Sequence, residues 1–184
     1  MKIAFATGNK NKVLELKKIL EKTNIQIIQK NIEIEEPRSE SLQEIAITKA
    51  NYAVNKLKMS VIVEDSGLFI DSLNNFPGTY SHWVYDKIGY IGIINLINKI
   101  KTRKATFKAV IVYLEPNKKP QIFTGEKQGT IALESKGVDG FGYDPIFIPK
   151  NETKTWAENP NSKNQSSHRQ MAIKKFTNWA TTNL

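Results

Sequence analysis

The chain has 184 residues, of which 40% are hydrophobic and 24% are charged, so it has the composition of a globular protein with a substantial core. It has no cysteine, which excludes disulfides, thiolate-bound metals and cysteine nucleophiles, and its two histidines argue against a histidine-based metal site. The net charge of +9 comes almost entirely from scattered lysines, so it favours a small anionic ligand over nucleic acid.

These bounds set the class of protein that we expect. No apolar run approaches the ~20 residues of a membrane-spanning helix. The sequence starts directly with a predicted strand rather than a signal peptide, so we expect a cytoplasmic protein. We expect one domain over residues 1–184, built as two lobes. Any metal should be a hard cation held by carboxylates, which means Mg²⁺ or Mn²⁺.

The first predicted elements enclose a polar turn. Residues 2–6 are predicted as a buried strand and residues 12–22 as a helix. The turn between them has the sequence Thr7-Gly8-Asn9-Lys10-Asn11-Lys12. Because first-turn amides lack intrahelical acceptors and the helix dipole favours anions, this turn predicts a phosphate site. The alternative is an ordinary turn in which an asparagine caps the helix.

Acidic residues are the next notable feature. A strand is predicted over residues 25–29, and a helix that Ser41 caps is predicted to run to residue 57. The apolar residues 61–63 predict a strand that ends at Glu64-Asp65-Ser66, and Glu35-Glu36 precede a proline. With no histidine ligands available, two acidic loops favour a Mg²⁺ site. The alternative is that they are solvated loops or helix caps.

The second half of the chain adds two further polar segments. We predict a helix over 83–100, a hairpin of strands over 106–114 and 121–133, and a short strand over 146–148. The glycine-rich residues 137–145 allow close approach of a ligand, and either Phe141 or Tyr143 could stack on a base. The alternative is a glycine-rich turn with core aromatics.

The last segment is the basic run 163–169, which precedes a final helix that Ser167 is predicted to cap. Basic residues at a helix start oppose the dipole preference, and such conflicts favour a functional site over a frayed helix end. Taken together, the elements predict an α/β fold with a mixed central sheet flanked by helices. We expect an elongated molecule with a substrate cleft between its lobes.

Five segments in this order resemble the inosine triphosphate pyrophosphatase family. The motifs are T-G-N-x-x-K-x-x-E at 7–15, E-D-S-G-L at 64–68, F-P-G-x-Y at 76–80, G-F-G-Y-D-P at 140–145 and K-N-x-x-S-H-R-x-x-A at 163–172. Each motif is weak alone, but the ordered set is specific and spans nearly the whole chain.

The resemblance implies roles for individual residues. Those expected to bind substrate are Thr7, Gly8, Asn9, Lys10, Asn11, Lys12, Lys49, Ser66, Phe141, Gly142, Tyr143, Asp144, Lys163, His168 and Arg169. The metal ligands would be Glu36 and Asp65. The catalytic groups would be Asp65, as base, and Lys12, which neutralises the leaving group. The loop Glu35-Glu36-Pro37-Arg38 departs from the common pattern, which leaves Glu35 as an alternative ligand, and His82 stands where some members carry a lysine.

The family function would be Mg²⁺-dependent hydrolysis of non-standard purine nucleoside triphosphates (ITP, dITP and XTP) to the monophosphate and pyrophosphate, in a homodimer. Arg169 has only donors, so it would suit the C6 oxygen of these bases and not the amino group of adenine. Two alternatives remain open: a binding module without turnover, and a pyrophosphatase for modified pyrimidine nucleotides.

Overall fold

The computed structural model describes residues 1–21, 23–35 and 37–184. The strands in this part of the chain are β1 (Lys2–Ala6), β2 (Gln26–Lys30), β3 (Val61–Ile70), β4 (Pro77–Gly78), β5 (Lys104–Leu114), β6 (Gln121–Ile131) and β7 (Phe147–Pro149). The helices are α1 (Lys10–Leu20), α2 (Leu42–Leu57), α3 (Ser81–Leu96), α4 (Pro160–Ser166) and α5 (His168–Asn183).

The strands form a single sheet of mixed direction. Their order is β2-β1-β3-β5-β6-β7, with β4 beside β3. Strand β1 runs parallel to both β2 and β3, whereas β3 with β4 and β6 with β7 are antiparallel. The predicted α/β class with a mixed, helix-flanked sheet is therefore confirmed. None of the described helices is long and apolar enough to cross a bilayer.

The chain divides into two compact units. The first unit comprises residues 1–65, 109–124 and 169–184, and the second comprises 66–108 and 125–168. The core of the first unit forms where apolar faces of α1 and α5 pack on strands. Its largest members are Ile3, Phe5, Leu16, Leu20, Ile62, Ile111, Tyr113, Phe123, Ile173 and Phe176. Burying such side chains contributes about 1.5–3 kcal/mol each, which makes this face the main support of α1.

The second unit has its own core, in which several aromatic rings pack together. It includes Phe107, Tyr143, Phe147 and Trp156, together with apolar residues of α3 and β3. The Phe107 and Phe147 rings meet edge to face with 4.8 Å between centroids, an arrangement that aromatic quadrupoles favour. Gly89, at φ 61°, interrupts α3 between Ser81 and Leu96.

An arginine joins the segments that follow α3 and β6. Arg103 donates from Nε to the carbonyl of Ile131 at 2.8 Å and from Nη1 to that of Ile97 at 2.9 Å. Its Nη2 donates to the carbonyl of Ala132 at 2.6 Å. One planar side chain thus satisfies the carbonyl groups at the end of α3 and at the end of β6. The helix predicted to reach residue 100 ends earlier, at Leu96.

One predicted boundary in the acidic region is wrong. Strand β3 does not end at residue 63 but continues through Glu64, Asp65 and Ser66 to Ile70. The reason is tertiary, because β3 pairs beyond this point with β4, and a Cβ on Gly67 would collide with the backbone of Gly78. The acidic residues therefore lie in the middle of a strand, where successive side chains point to opposite faces.

Candidate active site

The turn between β1 and α1 is held by its own side chains. Asn9 is the N-cap of α1, and its Oδ1 accepts from the amides of Asn11 at 2.9 Å and Lys12 at 3.3 Å. The amide of Asn9 in turn donates to Oγ1 of Thr7 at 3.1 Å. The phosphate site and the asparagine cap were the two predictions for this turn, and both require that a helix begins here. The hydrogen bonds of the asparagine cap are present.

The cap limits which amides an anion could use. Since Asn9, Asn11 and Lys12 donate within the turn, the amides of Gly8 and Lys10 are the ones left without a turn acceptor in the described part of the chain. Gly8 and Lys10 are exposed. A phosphate would therefore meet a smaller set of donors than six consecutive residues suggested.

Lys12 turns away from solvent toward strand β3. Its Nζ lies 2.5 Å from Oε2 of Glu64 and donates to the backbone carbonyl of Glu64 at 3.4 Å. The Glu64 side chain is 1% exposed and that of Lys12 is 17% exposed. A carboxylate buried to this extent is stable as an ion only when cations are placed against it, and Lys12 is the first of two.

Arg169 is the second cation on Glu64. Its Nε donates to Oε1 of Glu64 at 3.1 Å, and its Nη1 donates to Oε2 of Glu15 at 2.9 Å. Burial by itself would lower the pKa of Arg169, but the two carboxylates outweigh burial and raise the pKa above its ordinary value. Two helices and a strand therefore meet at a network of two cations and two carboxylates.

Arg169 lies at the centre of this network. Two of its nitrogens donate to carboxylates, and its expected role in reading the purine base stays a prediction. The Arg169 side chain is 5% exposed. Its partners are those of a residue that holds charges in place within the first unit.

Asp65 lies next to Glu64 on β3 but has a different environment. Its Oδ2 is 4.0 Å from Nζ of Lys49, and its side chain is 14% exposed, so it is within reach of a small ligand. Ser66, the next residue, is partly buried. The expected partner ligand Glu36 lies outside the described residues. Within residues 1–21, 23–35 and 37–184, no three carboxylates or histidines form a metal cluster.

The second unit brings together a carboxylate, a lysine ammonium and an aromatic ring. Nζ of Lys163 lies 2.5 Å from Oδ2 of Asp144, and the same oxygen accepts from the amide of Phe141 at 2.8 Å. The Lys163 ammonium also stands over the Phe141 ring, 3.8 Å from its centroid. Asp144 and Lys163 are both buried, so neither is the solvated end of a frayed helix. This cluster is a buried polar site within the second unit.

Two glycines near this cluster differ in what surrounds them. Gly140 has φ +82°, and a Cβ built there would collide with the carboxylate of Asp144. Gly142 has a similar φ of +63°, but a Cβ there would meet nothing within 4 Å. Both positions suit glycine because of their backbone conformation, and Gly140 is also required for the close approach of the acid.

The ring of Tyr143 belongs to the core of the second unit. Tyr143 is 5% exposed, and its hydroxyl donates to the backbone carbonyl of Ser81 at 2.8 Å. Burial, followed by the nearby Tyr85 and Asp86, raises the pKa of its hydroxyl well above the ordinary value. Of the two aromatic residues considered for stacking, only Phe141 is partly exposed.

His168 packs in a cluster with two aromatic rings, Phe107 and Trp156, which also contact each other with 5.2 Å between centroids. Its imidazole lies parallel to Phe107, with 4.7 Å between centroids and 12° between planes. Trp156 lies 5.8 Å away at 22°. His168 is buried at the start of α5, directly after Ser167, which is the C-cap of α4. The stack fixes the plane of the imidazole and therefore the directions of its two nitrogens.

Reasoning from the sequence missed four residues of these clusters. Glu15 and Glu64 stand within the motifs, and Glu64 belongs to the acidic segment, but the sequence assigns no individual role to either of them or to Phe107 and Trp156. The signal for Glu15 was available, since it stands three residues after Lys12 and so shares a helix face with it. Phe107 and Trp156 are distant from His168 in sequence and carry no local pattern.

The chain is similar to known proteins over nearly its whole length. The Ham1 family model matches residues 3–179. A protein of Methanopyrus kandleri named dITP/XTP pyrophosphatase is 47% identical over 100% of this chain and 98% of its own length. A protein of the same name from Methanosarcina acetivorans is 43% identical over 98% of each chain.

Solved structures agree with the sequence comparisons. The Staphylococcus aureus Ham1 protein superposes with a TM-score of 0.89 at 31% identity and covers all of both chains. A HAM1 protein from Coxiella burnetii gives a TM-score of 0.90 at 31% identity over 99% of each chain. The family predicted from the five motifs is thereby confirmed: this chain belongs to the Ham1 family.

Proposed function

We propose that this protein hydrolyses the non-standard purine nucleoside triphosphates ITP, dITP and XTP to the nucleoside monophosphate and pyrophosphate. The observation that carries the proposal is the full-length similarity to relatives named dITP/XTP pyrophosphatase, at 47% and 43% identity. The oxygen of a water molecule bonds to the α-phosphorus, the bond from that phosphorus to the bridging oxygen breaks, and pyrophosphate leaves.

The first unit supplies the groups that suit the phosphates. Lys12 and the exposed amides of Gly8 and Lys10 are donors at the start of α1, where the helix dipole also favours negative charge. The lysine lowers the cost of the charge that develops on the leaving pyrophosphate. The contacts of Asn9 and Thr7 keep the turn in this conformation before substrate arrives.

Asp65 is the described residue best suited to a divalent metal. Carboxylate and phosphate oxygens are the ligands that Mg²⁺ prefers, and Asp65 is partly exposed, whereas Glu64 is enclosed by cations. We assign Asp65 and Glu36 as the protein ligands of Mg²⁺. The bound metal would neutralise phosphate charge and acidify water. The second Asp65 oxygen is suited to orient the attacking water.

The second unit supplies the groups that suit a purine. Phe141 offers a partly exposed ring for stacking, and the neighbouring Lys163 and His168 provide donors for a base oxygen. Inosine and xanthine carry an acceptor at C6 where adenine carries a donor. A mismatched donor pair costs ~1–3 kcal/mol for each buried group, which is ~10-fold to ~100-fold in discrimination.

The proposal includes the assembly and setting expected from the motif resemblance. We propose a cytoplasmic homodimer in which each chain acts as one pyrophosphatase domain. Light scattering of the purified protein measures the assembly, and a mass of one chain would contradict it. This outcome is independent of the reaction chemistry.

One assay tests the reaction against its rivals. The protein is incubated with Mg²⁺ and a panel of ITP, dITP, XTP, GTP, ATP and modified pyrimidine triphosphates, and the products are identified by chromatography. Monophosphate and pyrophosphate from ITP and XTP are expected. Orthophosphate as the product, turnover of pyrimidines alone, or binding without turnover would each refute the proposal.

A further inference from the structure

Glu64 is a buried carboxylate that the proposed chemistry does not use directly. It lies in the middle of β3, next to Asp65, with its side chain 1% exposed. Both of its oxygens face cations: Oε2 faces Lys12 at 2.5 Å and Oε1 accepts from Arg169 at 3.1 Å. An uncompensated carboxylate at this depth would be strongly unfavourable, so its position depends on these two partners.

The contacts of Lys12 show what Glu64 does to it. An ammonium group has three donors. One lies against the Glu64 carboxylate and one is directed at the Glu64 carbonyl, 3.4 Å away. In the described part of the chain the third donor meets no further acceptor. The side chain remains 17% exposed, so this last donor is available to a phosphate oxygen.

We infer that Glu64 is a positioning residue: it holds the Lys12 ammonium at a fixed place on β3, with one donor left for the triphosphate. This inference rests on the proposed function. A flexible lysine would have to be ordered by the substrate, whereas Glu64 orders it in advance. Pre-organised donors are worth most where charge develops during the reaction, so the benefit should appear in kcat.

The charges of the cluster give this role a distinctive kinetic signature. The positive charges of Lys12 and Arg169 balance the negative charges of Glu64 and Glu15, so these four residues together are neutral. Glu64→Gln removes one negative charge, which favours binding of a polyanion. It also removes the carboxylate that holds the Lys12 ammonium in place. We therefore expect kcat to fall about 10-fold or more, with KM for ITP unchanged or lower.

Glu15→Gln is the matched control. It is the same change at the other carboxylate of Arg169, and no ion pair or hydrogen bond joins Glu15 to Lys12 among the described residues. It also removes one negative charge, without releasing the lysine. We expect kcat to stay within about twofold of the wild type. A fall in kcat equal to that of Glu64→Gln would show that Arg169, and not Lys12, carries the effect, and would overturn the inference.

A double-mutant cycle tests whether Glu64 acts through Lys12. Glu64→Gln is combined with Lys12→Ala, and kcat and KM are measured for the four proteins, each checked for folding by its melting temperature. In the Lys12→Ala background we expect Glu64→Gln to change kcat by less than about twofold. Independent, multiplying effects would show that Glu64 has a separate structural role and would overturn the inference.

A second readout separates this inference from the proposed function. Calorimetric titration with inorganic tripolyphosphate measures phosphate binding in the same four proteins without turnover. Glu64→Gln should bind it at least as tightly as the wild type when Lys12 is present, and weaker binding would count against the inference. If the four proteins show this pattern of tripolyphosphate binding but the wild type hydrolyses no nucleotide, the proposed function fails while the positioning role stands.

Discussion

Replacing Arg169 by methionine tests whether the buried charges of the first unit depend on one another. The substitution keeps most of the apolar stem and removes the guanidinium from Glu64 and Glu15. Removing one partner of a buried ion pair costs about 3–5 kcal/mol. Glu64 would keep Lys12, and Glu15 is 20% exposed and can be hydrated, so we expect the lower end, about 3 kcal/mol.

The loss is measured by urea denaturation, with the midpoint falling at an unchanged slope. For a chain of this length about 3 kcal/mol corresponds to a melting temperature lower by about 6–12 °C. Lys175→Met is the control on the same helix, since that exposed lysine only donates to a backbone carbonyl, and it should cost less than about 0.5 kcal/mol. A loss below about 1 kcal/mol for Arg169→Met would refute the reasoning, because it would show that the carboxylates do not need this cation.

The pH dependence follows from the raised pKa of Arg169. A group whose pKa is raised on folding contributes stability that is fully present below its unfolded pKa and is lost only as the pH rises through its folded pKa, and for an arginine both values lie far above neutral pH. The difference between the wild type and Arg169→Met should therefore be constant between about pH 7 and about pH 9. A difference that shrinks across this interval would indicate that the guanidinium is not the stabilising group.

Three further predictions concern the metal, the glycine turn and the stack. Asp65→Asn should leave the melting temperature unchanged and lower kcat by at least ~10²-fold, and kinetics at saturating Mg²⁺ would detect any surviving activity. Gly142→Ala should cost about 1–2 kcal/mol for its left-handed backbone alone, whereas Gly140→Ala should cost more because its Cβ displaces the buried acid; equal costs in urea melts would contradict this. Phe107→Leu should lower the ITP-to-ATP ratio of kcat/KM, and Phe123→Leu, at an equally buried ring in the other core, should not; parallel losses in both would indicate a packing effect only.

Much of the local structure could be predicted because neighbouring residues determine it. The turn after β1 ends in an asparagine that caps α1, and Ser41 caps α2 by accepting from the amide of Glu44 at 3.3 Å. Both caps act over two or three residues, so their signals are contained in short segments. The predicted helix end at residue 22 lies outside the described residues.

The acidic strand could not be predicted in the same way. A run of Glu64, Asp65 and Ser66 normally ends an apolar strand, because buried carboxylates are costly. Here the cost at Glu64 is offset by cations from residues 12 and 169, which are far away in sequence. A single-sequence pattern contains no information on such partners, so the strand end, the role of Glu64 and the partners of Arg169 were all missed together.

Arg103 shows why this lysine-rich chain keeps arginine at a few positions. Lysine and arginine total 27 residues, but arginine occupies three positions only, at 38, 103 and 169. At Arg103 three separate nitrogens serve three carbonyls, and at Arg169 two nitrogens serve two carboxylates. An ammonium carries all its donors on one atom and cannot span such acceptors. On most of a basic surface, lysine can replace arginine at little cost. At positions 103 and 169 it cannot, because the fold needs a planar, branched donor there.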